Sequence, residues 1–435
     1  MEQHKMNYWK TFLIGFGFFG VSVLWSLYNT YVPILLEKRF AFDSVATGFF
    51  MSLDNIAALF IQPAVGAWSD RLRTRLGRRL PFILIGAPIA AIAFGLVPLA
   101  NALPLFFACT VTTILAMAFW RTPVVALMPD VTPSEYRSQA NGIINFMGGL
   151  GLVLGTSIGA MLVRQNEAYP FWFGSFLVLV SAVLVLIFVK EPKVYDQNPN
   201  AEKPNLWKSL KELFTSQHGD AIRIFLAIFF WFVAYNAIEA FLSLYGVNHL
   251  GLSTSDAGRL VTSVGFTFLL FSIPAGFIGA KFGRKRTILT GLALMGISIL
   301  SAFIMPKDIQ VHTYTTLPLL GNFMNLTILL MLAGIGWALI NINSLPVVVD
   351  LTDQIHIGTY TGLYYLFSTL AAIAGPNING LIIKLAGNNY ASIFVIGPVF
   401  MLAAFFMVLG MKTKEPGDKS QTTTLKSESD AHQLE

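Results

Sequence analysis

Twelve stretches of this 435-residue chain run apolar for long enough to cross the hydrocarbon core of a bilayer. A spanning helix needs about 20 such residues, because lipid offers no partner to an unpaired backbone N–H or C=O. The runs lie at 10–36, 45–68, 80–99, 104–127, 138–163 and 170–189. After a polar stretch they resume at 222–247, 256–279, 287–305, 317–349, 358–385 and 392–411. The pattern predicts an all-α polytopic membrane protein. Only 12% of the residues are charged, about half the share of a water-soluble domain. Cys109 is the only cysteine, which excludes an intrachain disulfide framework. In such a chain the net charge of +6 reads as loop lysine and arginine that fix orientation, not as a nucleic-acid surface.

With the N-terminus inside, 22 of the 29 lysines and arginines fall on the cytoplasmic side and six outside, leaving Arg121 within a span. The reverse orientation would translocate the two densest clusters, Arg71 to Arg79 and Lys281 to Arg286. The expectation is a multi-pass protein of the plasma membrane with both termini cytoplasmic. The first run is too long for a signal-peptide core. Four regions follow: a six-helix bundle at 1–190, a cytoplasmic linker at 191–220, a second six-helix bundle at 221–411 and a disordered tail at 412–435. Within the linker, Leu206, Trp207, Leu210, Leu213 and Phe214 have the spacing of a helix lying on the membrane surface.

The two halves repeat each other. Gly66, Asp70, Arg71 and then Gly77, Arg78, Arg79 follow the second run; Gly276, Ala280, Lys281 and then Gly283, Arg284, Lys285 follow the eighth. Asp130-Val131-Thr132, Gly142 and Gly155 recur as Asp350-Leu351-Thr352, Gly362 and Gly375, at a constant offset of 220. Pseudo-symmetric halves of this kind are a signature of secondary transporters.

A twelve-span chain with G-x-x-x-D-R followed by G-R-R between spans two and three resembles the major facilitator superfamily. The run Gln62-Pro63, Gly66, Ser69-Asp70-Arg71, Gly77-Arg78-Arg79, Pro81-Phe82-Ile83 is more specific. It resembles the glycoside–pentoside–cation symporters and, within them, the sucrose-transporter-like branch. The resemblance implies two six-helix bundles around a central cavity and alternating access. It also implies a sugar such as sucrose or maltose as the substrate. In the melibiose-permease branch, span two resembles D-x-x-x-D-P-x-x-G and its carboxylates hold the cation. Here that frame reads Ala58, Gln62, Pro63, Gly66, so both acids are missing. That disfavours sodium and leaves the proton as the expected coupling ion, with no other cofactor. The acidic residue usual in span four of plant sucrose carriers is absent here, so its role is not carried over.

Charges inside a membrane cost several kcal/mol unless paired or hydrated, which makes each a functional candidate. By helix rise, Asp54 lies roughly 15 Å from the outer end of span two, Glu239 roughly 12 Å from the outer end of span seven and Arg121 about 9 Å from the inner end of span four. These three are the proton-coupling candidates. A sugar site needs amides, carboxylates and hydroxyls beside aromatic faces. Candidates are Trp25, Tyr28 and Asn29 on span one, Asn55 and Gln62 on span two, Trp120 on span four, and Asn141 and Asn145 on span five. The second half adds Trp231, Tyr235 and Asn236 on span seven, Asn341 and Asn343 on span ten, and Tyr364 and Tyr365 on span eleven. A cytoplasmic latch is expected from Gly66, Asp70, Arg71, Gly77, Arg78, Arg79 and Asp130 in the first half, with Arg71 or Arg78 pairing Asp130. Lys281, Gly283, Arg284 and Asp350 form its copy in the second, which has Ala280 in place of the aspartate, so the two are expected to be unequal in strength. Gly148, Gly151, Gly155 and Gly159 make a small-residue packing stripe.

The expected function is proton-coupled symport of a disaccharide or glycoside by a monomer in the lipid bilayer. The alternatives are a uniporter or exporter of another small polar solute or drug and, in a different class, a non-transporting receptor or scaffold. An enzyme is not expected: the six histidines are scattered and no P-loop occurs.

Overall fold

The computed structural model describes residues 8–132, 137–191, 219–351 and 357–411. The first bundle comprises α1 (Tyr8–Phe40), α2 (Ser44–Arg71), α3 (Leu80–Leu96), α4 (Leu103–Val131), α5 (Arg137–Leu162) and α6 (Tyr169–Phe188). The second comprises α7 (Gly219–Leu244), α8 (Thr254–Phe282), α9 (Arg284–Ile304), α10 (Asn325–Asp350), α11 (Ile357–Leu385) and α12 (Ile393–Leu409). Among the described residues, twelve helices are long and apolar enough to cross a membrane. We call the side where α1 begins the near face and the side where it ends the far face.

The repeat extends to the helix caps. At the far face Asp43 caps α2, its carboxylate accepting from the Ala46 N–H at 2.8 Å. Ser253 caps the equivalent helix α8 by accepting from the Asp256 N–H at 3.1 Å. Each cap satisfies a donor that the first helical turn leaves unpaired.

One boundary differs from the sequence expectation. The tenth apolar run was expected to span from residue 317, but α10 starts at Asn325. The preceding residues form an antiparallel hairpin, β1 (Thr313–Leu317) and β2 (Gly321–Met324). β-Branched threonines favour the strand, and Pro318 with Gly321, at φ +69°, makes the turn. The expected surface helix near 206–214 and the tail at 412–435 lie outside the described residues.

The halves meet along two seams, α2 against α11 and α5 against α8. The repeat exchanges one seam for the other, since α2 corresponds to α8 and α5 to α11. Glycine permits the first seam. A side chain at Gly48 would sit 2.4 Å from the Pro376 carbonyl oxygen, and one at Gly380 would sit 2.4 Å from that of Ser44. The α5 glycine stripe packs on α1, with Gly151 against the Phe19 backbone.

The polar contacts between halves run from the far face to mid-membrane. Ion pairs join Asp43 to Lys384 at 2.8 Å and Asp256 to Arg164 at 3.1 Å. Asn248 and Tyr390 both donate to Glu37. Deeper, Thr262 donates to Thr156 at 2.8 Å and Asn377 donates to Ser52 at 3.0 Å. Arg121, Asn145 and Tyr365 are exposed, although each lies well inside a spanning helix. The far side is therefore closed, and a cleft opens between the bundles toward the near face.

Candidate functional site

Where the cleft ends, charged side chains from both halves converge. Asp54 on α2 faces Arg121 on α4, and Arg121 also lies within electrostatic reach of Tyr365 on α11. Asn55 donates to the Asp54 carboxylate at 2.8 Å. Tyr28 on α1 is fully buried beside Asp54 and packs edge-on against Trp25, with ring centroids 5.4 Å apart. On α7, Glu239 lies within electrostatic reach of the Tyr235 hydroxyl one turn away and of the Asn29 amide of the opposite half. It also faces Asp54 as a like charge. Seven of the predicted residues on α1, α2, α4 and α7 thus form one cluster: Tyr28, Asn29, Asp54, Asn55, Arg121, Tyr235 and Glu239.

Trp337 on α10 completes the site and was not among the sequence candidates. Its indole stacks on the Tyr235 ring with centroids 4.1 Å apart and planes 8° from parallel. A stacked pair at the edge of a polar cleft offers an apolar face for the C–H side of a sugar ring. Behind Glu239 a cavity of about 50 Å³ extends into the second half, lined by Ile238, Leu242, Val261, Met295, Leu330 and Phe394. Its wall is almost wholly apolar.

Several other candidates are placed elsewhere. Trp120 is fully buried in the first bundle, its indole N–H directed at the Met117 sulfur. Trp231 is likewise buried among apolar neighbours. Asn343 joins α10 to α8, donating to the carbonyls of Ala275 and Leu339 at 3.0 Å each. Asn236 donates to Phe232 in its own helix at 2.7 Å. Tyr364 is buried against Ser344, 2.9 Å away. For Asn343, Asn236 and Tyr364 a polar group in an apolar interior serves a local carbonyl or hydroxyl, which removes it from solute recognition. Gln62 and Asn341 are half-buried on α2 and α10. Asn145 is exposed on α5, whereas the Asn141 side chain lies outside what is described.

At the near face the predicted latch residues form a dense network inside the first bundle. Asp130 at the end of α4 receives Arg78 at 2.5 Å and Arg79 at 2.9 Å. Arg79 also reaches Asp70 at 2.6 Å and the Ser69 hydroxyl. Arg71 is exposed, so Arg78 is the partner of the two expected arginines. Burial works against the Arg79 charge, but Asp130 and Asp70 outweigh it and hold the guanidinium above its usual range. Glu191, which sequence reasoning did not single out, caps α3 by accepting from the N–H groups of Arg78, Arg79 and Leu80 at 2.7–2.9 Å. Gly77, at φ +115°, brings the loop against that carboxylate, while Gly66 packs loosely toward Thr122. In the second half Arg284 bonds to Asp350 and, at 3.2 Å, to the Pro346 carbonyl. Gly283, at φ +92°, turns the chain there, and Lys281 is exposed beside Phe282. The latch was expected to hold the inner side closed. These ion pairs instead lie within one half or the other, and those that bridge the halves lie at the far face.

A family model described as Major Facilitator Superfamily matches residues 14–261 and 247–431. Multidrug resistance protein 2 of Bacillus subtilis is 23% identical, covering 91% of this chain and 90% of that protein. Proton-associated sugar transporter A of Rattus norvegicus is 28% identical over 47% of this chain and 30% of its own length. Among solved structures, the nucleoside transporter NupG superposes with a TM-score of 0.69 at 16% identity, covering 93% of this chain and all of NupG.

Proposed function

Because the chain belongs to the major facilitator superfamily, and so is a membrane transporter of small molecules, we propose that it is a proton-coupled symporter. Its proposed cargo is a disaccharide or other glycoside. The observation that carries this reading is the charge balance of the cleft. Asp54 and Glu239 supply two carboxylates and Arg121 one cation, so a single proton makes the cluster neutral. A neutral cluster is far cheaper to occlude in a low-dielectric interior than a charged one. The amides of Asn29 and Asn55 and the hydroxyl of Tyr235 suit sugar hydroxyl groups, and the Tyr235–Trp337 stack suits a sugar's apolar face. The sucrose-like motif and the sugar-transporter relative support the same substrate class. The proposed setting is a monomer in the plasma membrane with the near face, rich in arginine and lysine, toward the cytoplasm.

The test is uptake of radiolabelled sucrose and maltose into liposomes holding the purified protein. An inward proton gradient should raise accumulation above equilibrium. Uptake of both sugars that ignores the gradient sinks the reading. A second reading is export of lipophilic solutes. It is supported by the relative matched over nine-tenths of the chain and by the apolar cavity behind Glu239. Under that reading organic cations raise the melting temperature and sugars leave it unchanged.

A further inference from the structure

We propose that the apolar cavity behind Glu239 is a subsite for a small apolar substituent of the solute, and that Leu152, which joins its wall from the opposite half, sets the size it accepts. Under the glycoside reading above, on which this rests, the preferred cargo is a sugar carrying a short aglycone.

The cavity and the sugar platform share a wall. Tyr235, whose ring stacks on Trp337, also lines the cavity, as does Glu239 of the charged cluster. A sugar resting on that stack therefore lies next to the cavity. The one other polar side chain in the wall is Ser298, and its hydroxyl already donates to the Leu294 carbonyl at 2.7 Å. Water in such a space finds few partners, and an apolar group that takes its place gains affinity. The volume is about 50 Å³. A cavity that admits benzene measures about 150 Å³, so this one suits a chain of roughly two to four carbons.

All but one of the lining residues belong to the second half, on α7, α8, α9, α10 and α12. The exception is Leu152 on α5. Its tip fills a notch at Gly265 on α8, where any side chain would collide with it. About one turn along, the contact recurs in reverse: Leu269 of α8 lies against Gly149 of α5, 2.8 Å from where a side chain would begin. On the other side of Leu152, the bond between Thr262 and Thr156 closes the same seam. Leu152 is thus held in place from both sides, and the glycine at 265 is what lets a residue of the first half wall a cavity in the second. Trimming Leu152 adds space to the cavity and leaves the side chains that pack the second bundle as they are. That makes it the position at which size is tuned.

The experiment is calorimetry on the full chain in lipid nanodiscs, for wild type, L152A and L152V. The probes are methyl, ethyl, propyl and phenyl glucosides, and trimethylammonium ions bearing the same four groups. In wild type, affinity should rise about three- to fourfold per methylene from methyl to propyl, and the phenyl compound should bind no better than the propyl one. L152A should leave methyl glucoside unchanged, which shows the fold and the platform intact, and should tighten phenyl glucoside about tenfold. L152V, a smaller truncation, should shift the preference the same way by less. If L152A does not bind methyl glucoside, L152V decides by the same criterion. The proposal is overturned if neither series depends on the substituent, or if the Leu152 variants keep the wild-type size preference. Ammonium ions that follow substituent size while no glucoside binds would sink the glycoside reading and leave the subsite and the role of Leu152 standing.

Discussion

Trp337 stacks on the Tyr235 ring, with centroids 4.1 Å apart and planes 8° from parallel. Removing it leaves Tyr235 free to rotate and takes away an aromatic contact of about 0.5–1.5 kcal/mol. W337A should therefore weaken solute binding by roughly threefold to tenfold, measured by calorimetry or substrate-induced thermal shift, with little loss of expression. Asp130 makes a sharper case at the same scale. It neutralises two guanidiniums whose side chains are 8% and 5% exposed. D130N leaves both without a full counter-charge and should cost about 3 kcal/mol in stability. The corresponding pair, Arg284–Asp350, is 37% and 59% exposed, so D350N should cost less than about 1 kcal/mol. Paired thermal melts in detergent measure both, and equal losses would contradict the inequality. The acids and the arginine of the cleft were legible in the sequence because a charge within an apolar run has few uses. Trp337 was not, because an indole in a spanning helix is ordinary until its partner ring is known. Asn343 and Trp120 misled for the converse reason, since a buried polar group satisfied by a nearby carbonyl or sulfur looks the same in one dimension as a ligand.

Elements carry the next set of consequences. The α2–α11 seam depends on backbone approaching backbone at Gly48 and Gly380. A leucine at Gly380 has no room beside the Ser44 carbonyl, so G380L should disfavour the far-closed state by about 1–3 kcal/mol. Spin labels at the far ends of α2 and α11 would report longer distances, and Cys109, buried, would not compete for label. The same seam has a pH dependence. Lys384, with help from the Ala46 N–H, holds the Asp43 carboxyl below the usual carboxylate range. Its contribution to closure is thus complete above the ordinary aspartate value and is lost as pH falls through the lowered one. Below about pH 4 the label distances should lengthen, and high salt should mimic part of the effect because both partners are exposed. Helix count and most boundaries were readable from hydropathy, since span length is set by the bilayer. The hairpin before α10 was not, because Leu317, Leu319 and Leu320 extend the apolar run while Pro318 and Gly321 break the helix within it.

For the molecule as a whole, the sequence foretold two bundles and a repeat but could not foretell which side of the cleft is shut. The motif arginines drew attention to the near face, yet the polar contacts that join the halves run from the far one to mid-membrane. Which state wins depends on the sum of many weak cross-half contacts, and those pairings have no signature in one dimension. The proposed topology predicts that a tag after the last helix is reached only in permeabilised cells, whereas one in the β1–β2 turn is labelled on intact cells. Among the described residues, the bond between Ser52 and Asn377 is the deepest polar link on the α2 seam. With that bond taken as a fixed point, the stretch of α2 from there to Arg71 is a lever of about 28 Å by helix rise. A rotation of only about 10° about that point carries the arginine-rich loop roughly 5 Å sideways, as far as a sugar ring is wide. Modest tilts at the middle of the membrane are in this way geared up to a full opening at its surface.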